Sequence, residues 1–225
     1  QSGVDIKVGS DMAFKLPYDR TKYKVDNEKI NIGINVSSLL WDSQWAKENH
    51  FGLTVDYEQY HIKILEWLME QSKYIIHIIP HVIDLEQPDA RENDYRVCLQ
   101  LKKKYGNRIE IAPPFNTPIE AKSYIANMDV FIGSRMHATI GAISSGVATI
   151  PFSYSRKFEG LFGNLEYPYV ISARNFSLEE ALEKSKSWIQ NYEILKGCGQ
   201  KSVVESYAKL ELLENDIRCL LEKRK

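Results

Sequence analysis

Cysteine is scarce in this sequence. Its 225 residues include three, Cys98, Cys198 and Cys219, an odd number with no metal or redox spacing between them. They do not make a disulfide framework, and free thiols point to a reducing compartment, the cytoplasm. There is no run of 18 apolar residues to span a membrane and no recognisable leader at the start. Charge of one sign is not in excess either. The formal net charge is −1, so no global field draws the molecule to nucleic acid or to an anionic lipid surface, and any anion site has to be local. Basic residues interleaved with aromatics along one groove, as single-strand binding needs, are missing. The compact motifs of several chemistries are also absent: no Walker phosphate loop, no Gly-x-Gly-x-x-Gly after a strand, no Gly-x-Ser-x-Gly elbow, no His-Glu-x-x-His. No carboxylate or Cys/His cluster suggests a metal, and none is expected.

What is present is an alternation of short apolar runs and amphipathic stretches. Lys29–Ser37 ("KINIGINVS"), Tyr74–Pro80 ("YIIHIIP"), Arg108–Ile111, Val130–Ile132, Val147–Phe152 and Tyr169–Ile171 read as strands, with Val4–Val8 a further strand-like piece. Between them lie helical patterns. Asp56–Ser72 repeats Tyr57, Tyr60, Ile64, Leu65, Leu68 and Met69 on one face; Asn93–Tyr105 has Asn93 as a cap; Pro118 opens a helix to about residue 127; and His137–Ser145 makes another. From Leu178 onward the chain is helical. Leu178, Ala181, Leu182, Ser185, Trp188 and Ile189 form one stripe, and Val203, Leu210, Leu213, Ile217 and Leu220 a second. Strands apolar on both faces, separated by helices, predict an α/β fold: a doubly wound parallel sheet, Rossmann-like, with a helical C-terminal tail. Ligands in such sheets bind beyond the carboxyl ends of the strands, at a topological switch point. The loops to search are therefore 37–51, 81–92, 113–118, 134–137 and 153–163.

One seam stands out. Gly133–Ala142 reads "GSRMHATIGA". A strand ends at Gly133, which lets the chain turn or a ligand come close. Arg135 follows, then His137 at a helix N-terminus, where free N–H groups and the helix dipole favour anions. A planar guanidinium adds two-point recognition of phosphate or carboxylate. The plainer reading makes Arg135 half of a structural ion pair and His137 a helix cap. The next loop brings Tyr154, Arg156 and Lys157 to the same sheet region, as further ligand contacts or as core edge and solvated surface. His81 lies just past a strand end and can reach a cleft, whereas His77, inside that strand, reads as a core residue. Asn35 and Ser37 follow the first strong strand and either bind a ligand or cap a loop; Asn93 and Asp94 read as a helix cap.

The segment Gly133–Phe162 resembles the signature of the polysaccharide pyruvyl transferase family. The matching positions are Gly133, Arg135, His137, Gly146, Pro151, Tyr154 and Lys157. "INIGINVSSLLW", "IIHIIPHV" and "VGSDMAFKLPY" are similar to other segments of that family, so the likeness covers about residues 5–165 and is most specific over 133–160. The resemblance implies a GT-B-type architecture, with two Rossmann-like halves across a cleft. It implies transfer of pyruvate from phosphoenolpyruvate, a co-substrate, to a sugar, with formation of a pyruvate ketal and no other cofactor. His137 and Arg135 would be catalytic; Gly133, Ser134 and Met136 would line the donor site, joined by the other candidates above. Because the linker motif stands at residues 8–18, the chain is expected to be the C-terminal, donor-binding half of a longer protein. Residues 1–28 would then be linker and the end of an N-terminal domain, 29–175 the donor-binding domain, and 176–225 helices that pack on it or bridge from it. The implied partners are that N-terminal domain and a sugar, lipid-linked saccharide or polysaccharide acceptor, the lipid-linked form bringing the protein to the inner face of the membrane. The same cationic turn would serve a GT-B nucleotide-sugar glycosyltransferase or a non-catalytic binding half.

Overall fold

The computed structural model describes residues 9–42 and 44–222; the strand-like piece Val4–Val8 lies outside them. The apolar runs form β1 (Ile30–Asn35), β2 (Tyr74–Ile78), β3 (Glu110–Ile111), β4 (Val130–Gly133), β5 (Ala148–Ser153) and β6 (Ile171–Ser172). They make one six-stranded sheet in the order β3-β2-β1-β4-β5-β6, every neighbouring pair parallel. The helices are α1 (Ser38–Trp41), α2 (Gln44–Lys47), α3 (Tyr57–Met69), α4 (Asp94–Tyr105), α5 (Pro118–Ile125), α6 (Met136–Ser144), α7 (Arg156–Asn164), α8 (Leu178–Gln190) and α9 (Tyr192–Glu222).

Alternation along the strands explains the two layers of helices. Val130 and Ile132 of β4 join a core with Ile64, Leu65 and Leu68 of α3, Val97 and Leu101 of α4 and Leu182 and Ile189 of α8. Phe131, between them, points the other way, onto Tyr124 and Ile125 of α5 and Ala138 and Ala142 of α6. A parallel sheet covered on both faces is the predicted doubly wound fold. The direction of winding reverses between β1 and β4, the position at which sheets of this kind bind ligands.

Five details differ from the expectation. The strand expected over Arg108–Ile111 keeps only Glu110–Ile111, because Arg108 closes a 3-10 turn, and the one expected over Tyr169–Ile171 lies at Ile171–Ser172. The loop 37–51 contains the short α1 and α2. The loop 153–163 is mostly α7; Gly160 and Gly163 obscured it by their poor helix propensity, but Phe158 and Phe162, four apart, supply a buried face. The first tail stripe is right, since Ala181, Leu182, Ser185 and Ile189 are buried. The second is displaced: α9 buries Leu195, Gly199, Ser202, Ser206 and Leu210, leaving Ile217 and Leu220 exposed. Small residues face inward because α9 lies close; a Cβ on Gly199 would be 3.1 Å from Ile143 Cγ1.

The stretch before β1 lies on this domain. Met12–Lys15 forms a 3-10 turn against α6 and α9. Its Phe14 is fully buried among Ile140, Ile143, Phe158, Phe162 and Leu210. The buried Lys122 amine donates to the carbonyls of Ala13, Phe14 and Leu16 at 3.5, 3.2 and 2.8 Å. Lys15 pairs with Glu214 at 2.6 Å. In the tail, α8 packs on α3, and α9 on β5 and α6.

Candidate functional site

At the β1/β4 reversal the two strands pair in register from Ile32–Val130 to Asn35–Gly133. Both strands end there, and the seam residues follow. Gly133 is needed for packing, because a Cβ would lie 2.5 Å from Phe131 Cε1 and 2.8 Å from Thr139 Cγ2. It lets α6 start close over β4. Asn35 is fully buried; its Oδ1 accepts from Arg135 N at 2.9 Å, and its Nδ2 donates to Ile79 O at 3.0 Å. It ties the ends of β1, β2 and β4 together. Ser134 is buried and accepts from Tyr57 Oη at 2.7 Å, while Ser37 N donates to the same phenol at 2.7 Å. The Ser37 hydroxyl is buried with no partner among the described residues.

Arg135 stands as the N-cap of α6 with extended backbone. Its guanidinium is engaged along one edge: Nε donates to Asp94 Oδ2 at 3.2 Å, and NH2 donates to Asp94 Oδ1 at 2.8 Å and to Glu92 O at 3.2 Å. The structural ion pair of the plainer reading is therefore present. Among the described residues the remaining nitrogen, NH1, faces only the Glu92 carboxylate, at 3.7 Å, and that carboxylate is 58% exposed. Burial opposes the charge on Arg135, but the hydrogen bonds and charge of Asp94 outweigh it and hold the pKa above the usual arginine value.

His137 lies in the first turn of α6, its side chain 61% exposed and its Nε2 3.6 Å from Asp11 Oδ2. No side chain caps α6. This matters because α3, α4, α5 and α8 are capped by Asp56, Asn93, Thr117 and Ser177. The first N–H groups of α6 thus remain available to an acceptor from outside the protein. Helix α7 is also uncapped, with Arg156 and Lys157 exposed in its first turn. Glu159 stands in the same turn and supplies a carboxylate to the positive end of the helix, leaving one net positive charge there.

The other candidates fall around this centre. His81 and His137 both line an apolar groove of about 370 Å³ with Met12, Leu16, Pro118 and Ile125. Burial pushes the His81 imidazole down to about 4, so it is neutral at pH 7. Tyr154 is half-buried against Phe51 and Phe158; burial raises its phenol pKa and the charge of Arg135 pulls it down. Met136 packs into the cluster around Phe14 and Phe158. His77 is a core residue as expected, between Tyr124 Oη and Asn31 Oδ1, both at 3.0 Å. The sequence reading missed three acidic residues here: Asp94, read as part of a cap, Glu92 and Asp11. No group of three or more His, Cys, Asp or Glu among the described residues is arranged to hold a metal ion.

Comparison with known proteins bears on this geometry. A family model described as polysaccharide pyruvyl transferase matches residues 1–156. The chain belongs to the polysaccharide pyruvyl transferase family. Every residue of the Gly133–Ala142 seam falls within the match, as do β1, β2, β4 and α6. A search of curated proteins gave no match. Among solved structures it is similar to WaaG, a glycosyltransferase involved in lipopolysaccharide biosynthesis, at 14% identity and a TM-score of 0.52, over 83% of this chain and 45% of that one. It is also similar to UDP-GlcNAc 2-epimerase from Neisseria meningitidis bound to UDP-GlcNAc, at 11% identity and a TM-score of 0.51, over 86% and 45%. These likenesses establish the fold, one Rossmann-like half of the GT-B type. The chain spans less than half the length of either structure. No described helix is long and apolar enough to cross a membrane.

Proposed function

We propose that this chain supplies the phosphoenolpyruvate side of a pyruvyl transfer to a sugar of a cell-surface polysaccharide or its precursor. The observation that carries the reading is the pairing of Arg135, held by one edge with NH1 left over, with His137 in the uncapped first turn of α6, at the switch point of the sheet. Phosphoenolpyruvate carries a phosphate and a carboxylate close together, and here a guanidinium, a helix N-terminus and the cations of α7 answer them without a metal. Family membership supports a transferase with a saccharide acceptor.

The chemistry needs one proton delivered and two removed. Protonation of the donor's methylene carbon makes the adjacent carbon electrophilic, and a sugar hydroxyl adds there and gives up its proton. The C–O bond to phosphate then breaks, phosphate leaves with the bonding pair, and a second hydroxyl closes the ketal as it loses its proton. Histidine titrates in the range such transfers use, and His137 is the exposed imidazole at the seam. Arg135 stabilises charge on the donor. An electrostatic contact of this kind lowers the barrier by about 3 kcal/mol.

The test is phosphate release from phosphoenolpyruvate by the full-length protein, offered lipid-linked and nucleotide-linked sugars. Arg135→Ala and His137→Ala are expected to lower it by about a hundredfold or more while the far-ultraviolet circular dichroism stays native. Wild-type rates in either variant would remove that residue from the mechanism. A nucleoside diphosphate that raised the melting temperature when phosphoenolpyruvate did not would move the protein to the sugar-nucleotide transferases.

A further inference from the structure

Asp94 is the first residue of α4, and its side chain is fully buried. A carboxylate removed from water needs all its lone pairs engaged. Asp94 meets that need with groups from three different loops. After β1, Ser38 N donates to Oδ1 at 3.0 Å, and the Ser38 hydroxyl shares its one proton between Arg91 O at 3.0 Å and Oδ1 at 3.3 Å. After β2, the backbone N–H groups of His81 and Val82 donate to Oδ2 at 3.3 and 3.1 Å. After β4, Arg135 donates to both oxygens. The residues that follow β1, β2 and β4 at their carboxyl ends are thus gathered on one anion beneath the seam, and each of the three loops carries a candidate ligand residue, Ser37, His81 or Arg135.

A helix dipole is satisfied by a carboxylate in the first turn, and an exposed one would serve. A buried aspartate at a loop junction with this set of donors does more. It fixes the guanidinium by its Nε–NH2 edge, which determines the direction of NH1. We infer that Asp94 is a positioning residue: it sets the Arg135 fork and the His81 loop in the geometry that receives the donor anion, without touching the donor. This inference rests on the donor-site reading above.

Binding and resonance measurements test the two separately. Calorimetry with phosphoenolpyruvate is run on the wild-type chain, Asp94→Asn, Arg135→Ala and the double variant. Asp94→Asn is expected to weaken binding about tenfold or more, and the double variant is expected to bind no worse than Arg135→Ala alone, since Asp94 acts through Arg135. Asp94→Asn binding like wild type while Arg135→Ala does not, or effects that add, would overturn the inference and leave the donor reading intact. In parallel, nitrogen-15 spectra follow the Arg135 Nε–H and the amides of Ser38, His81 and Val82. All four are expected to shift together in Asp94→Asn; shifts confined to α4 would count against the inference. Should wild type not bind phosphoenolpyruvate, the donor reading falls and these spectra alone decide on Asp94. Should Asp94→Asn not fold, Ser38→Ala, which removes the hydroxyl shared by Asp94 Oδ1 and the Arg91 carbonyl and no charge, replaces it. Shifts at His81, Val82 and Arg135 Nε–H are expected there too, and unmoved signals would overturn the inference.

Discussion

At the scale of single residues, the site is governed by how much of each cation is already in use. Arg135 spends Nε and NH2 on Asp94 and the Glu92 carbonyl, and its NH1 lies 3.7 Å from the Glu92 carboxylate. Those two carboxylates play different parts. The Asp94 side chain is buried and holds the arginine in place, whereas that of Glu92 is more than half exposed and stands where an incoming phosphate or carboxylate would meet NH1. Exposed like charges at such a distance repel modestly. Glu92→Gln is therefore expected to tighten phosphoenolpyruvate binding about two- to fivefold at low salt, with the gain shrinking as salt is raised, measured by calorimetry at two ionic strengths. An unchanged or weaker affinity would mean that Glu92 is not a competitor for that nitrogen. The arginine and histidine could be picked out from sequence because they stand two apart after an apolar run. Asp94 could not, because 41 residues separate it from Arg135 and its pairing exists only once β1, β2 and β4 lie side by side. Asn35 and Ser37 were placed beside the right strand end, but direction is set by the pleat and by what the neighbouring strand needs, and both turned into the protein.

At the scale of elements, the seam depends on α6 lying close over β4. The close approach rests on Gly133, whose absent Cβ makes room for Phe131 and Thr139. Gly133→Ala forces that aromatic ring or the helix to shift, and is expected to cost about 1–3 kcal/mol of stability, read from the midpoint of urea unfolding. A loss of donor affinity larger than the loss of stability explains would show that the helix N-terminus had moved. A variant as stable as wild type would mean the ring relocates freely. The strands and the longer helices were legible in sequence because their periodicities are strong: β-branched runs for β1 and β2, a capped apolar stripe for α3. Helix α7 was not, because two glycines interrupt its pattern, and the inward face of α9 was misplaced because Gly199, Ser202 and Ser206 give no hydrophobic signal. Where packing is tight enough to demand small residues, the buried side of a helix looks polar in sequence.

At the scale of the whole molecule, two properties follow from what is buried. Burial pushes His61 and His81 each down to about 4 from an ordinary value of 6.5. The unfolded chain binds the more protons between those values, so their contribution to stability is full above about pH 6.5 and is lost as pH falls towards 4. Unfolding midpoints are expected to drop across that interval, and His61→Phe to flatten the slope; an identical slope in the variant would exclude His61 as a source. The second property concerns Phe14, in the stretch expected to be a linker. Its ring is fully buried against α6, α7 and α9, so Phe14→Ala is expected to cost about 3–5 kcal/mol, against a near-zero effect for a true linker residue. The sequence likeness that marked this stretch as a linker carried no information on what it rests against. The Lys15–Glu214 contact beside it spans a sequence separation of 199, and that span has a kinetic meaning. Closing so large a loop is entropically expensive until the sheet and α9 are in place, so the turn at Met12–Lys15 is expected to dock after the main barrier. Phe14→Ala should then multiply the unfolding rate while leaving the refolding rate nearly unchanged. During synthesis the segment would remain undocked until α9 had been made.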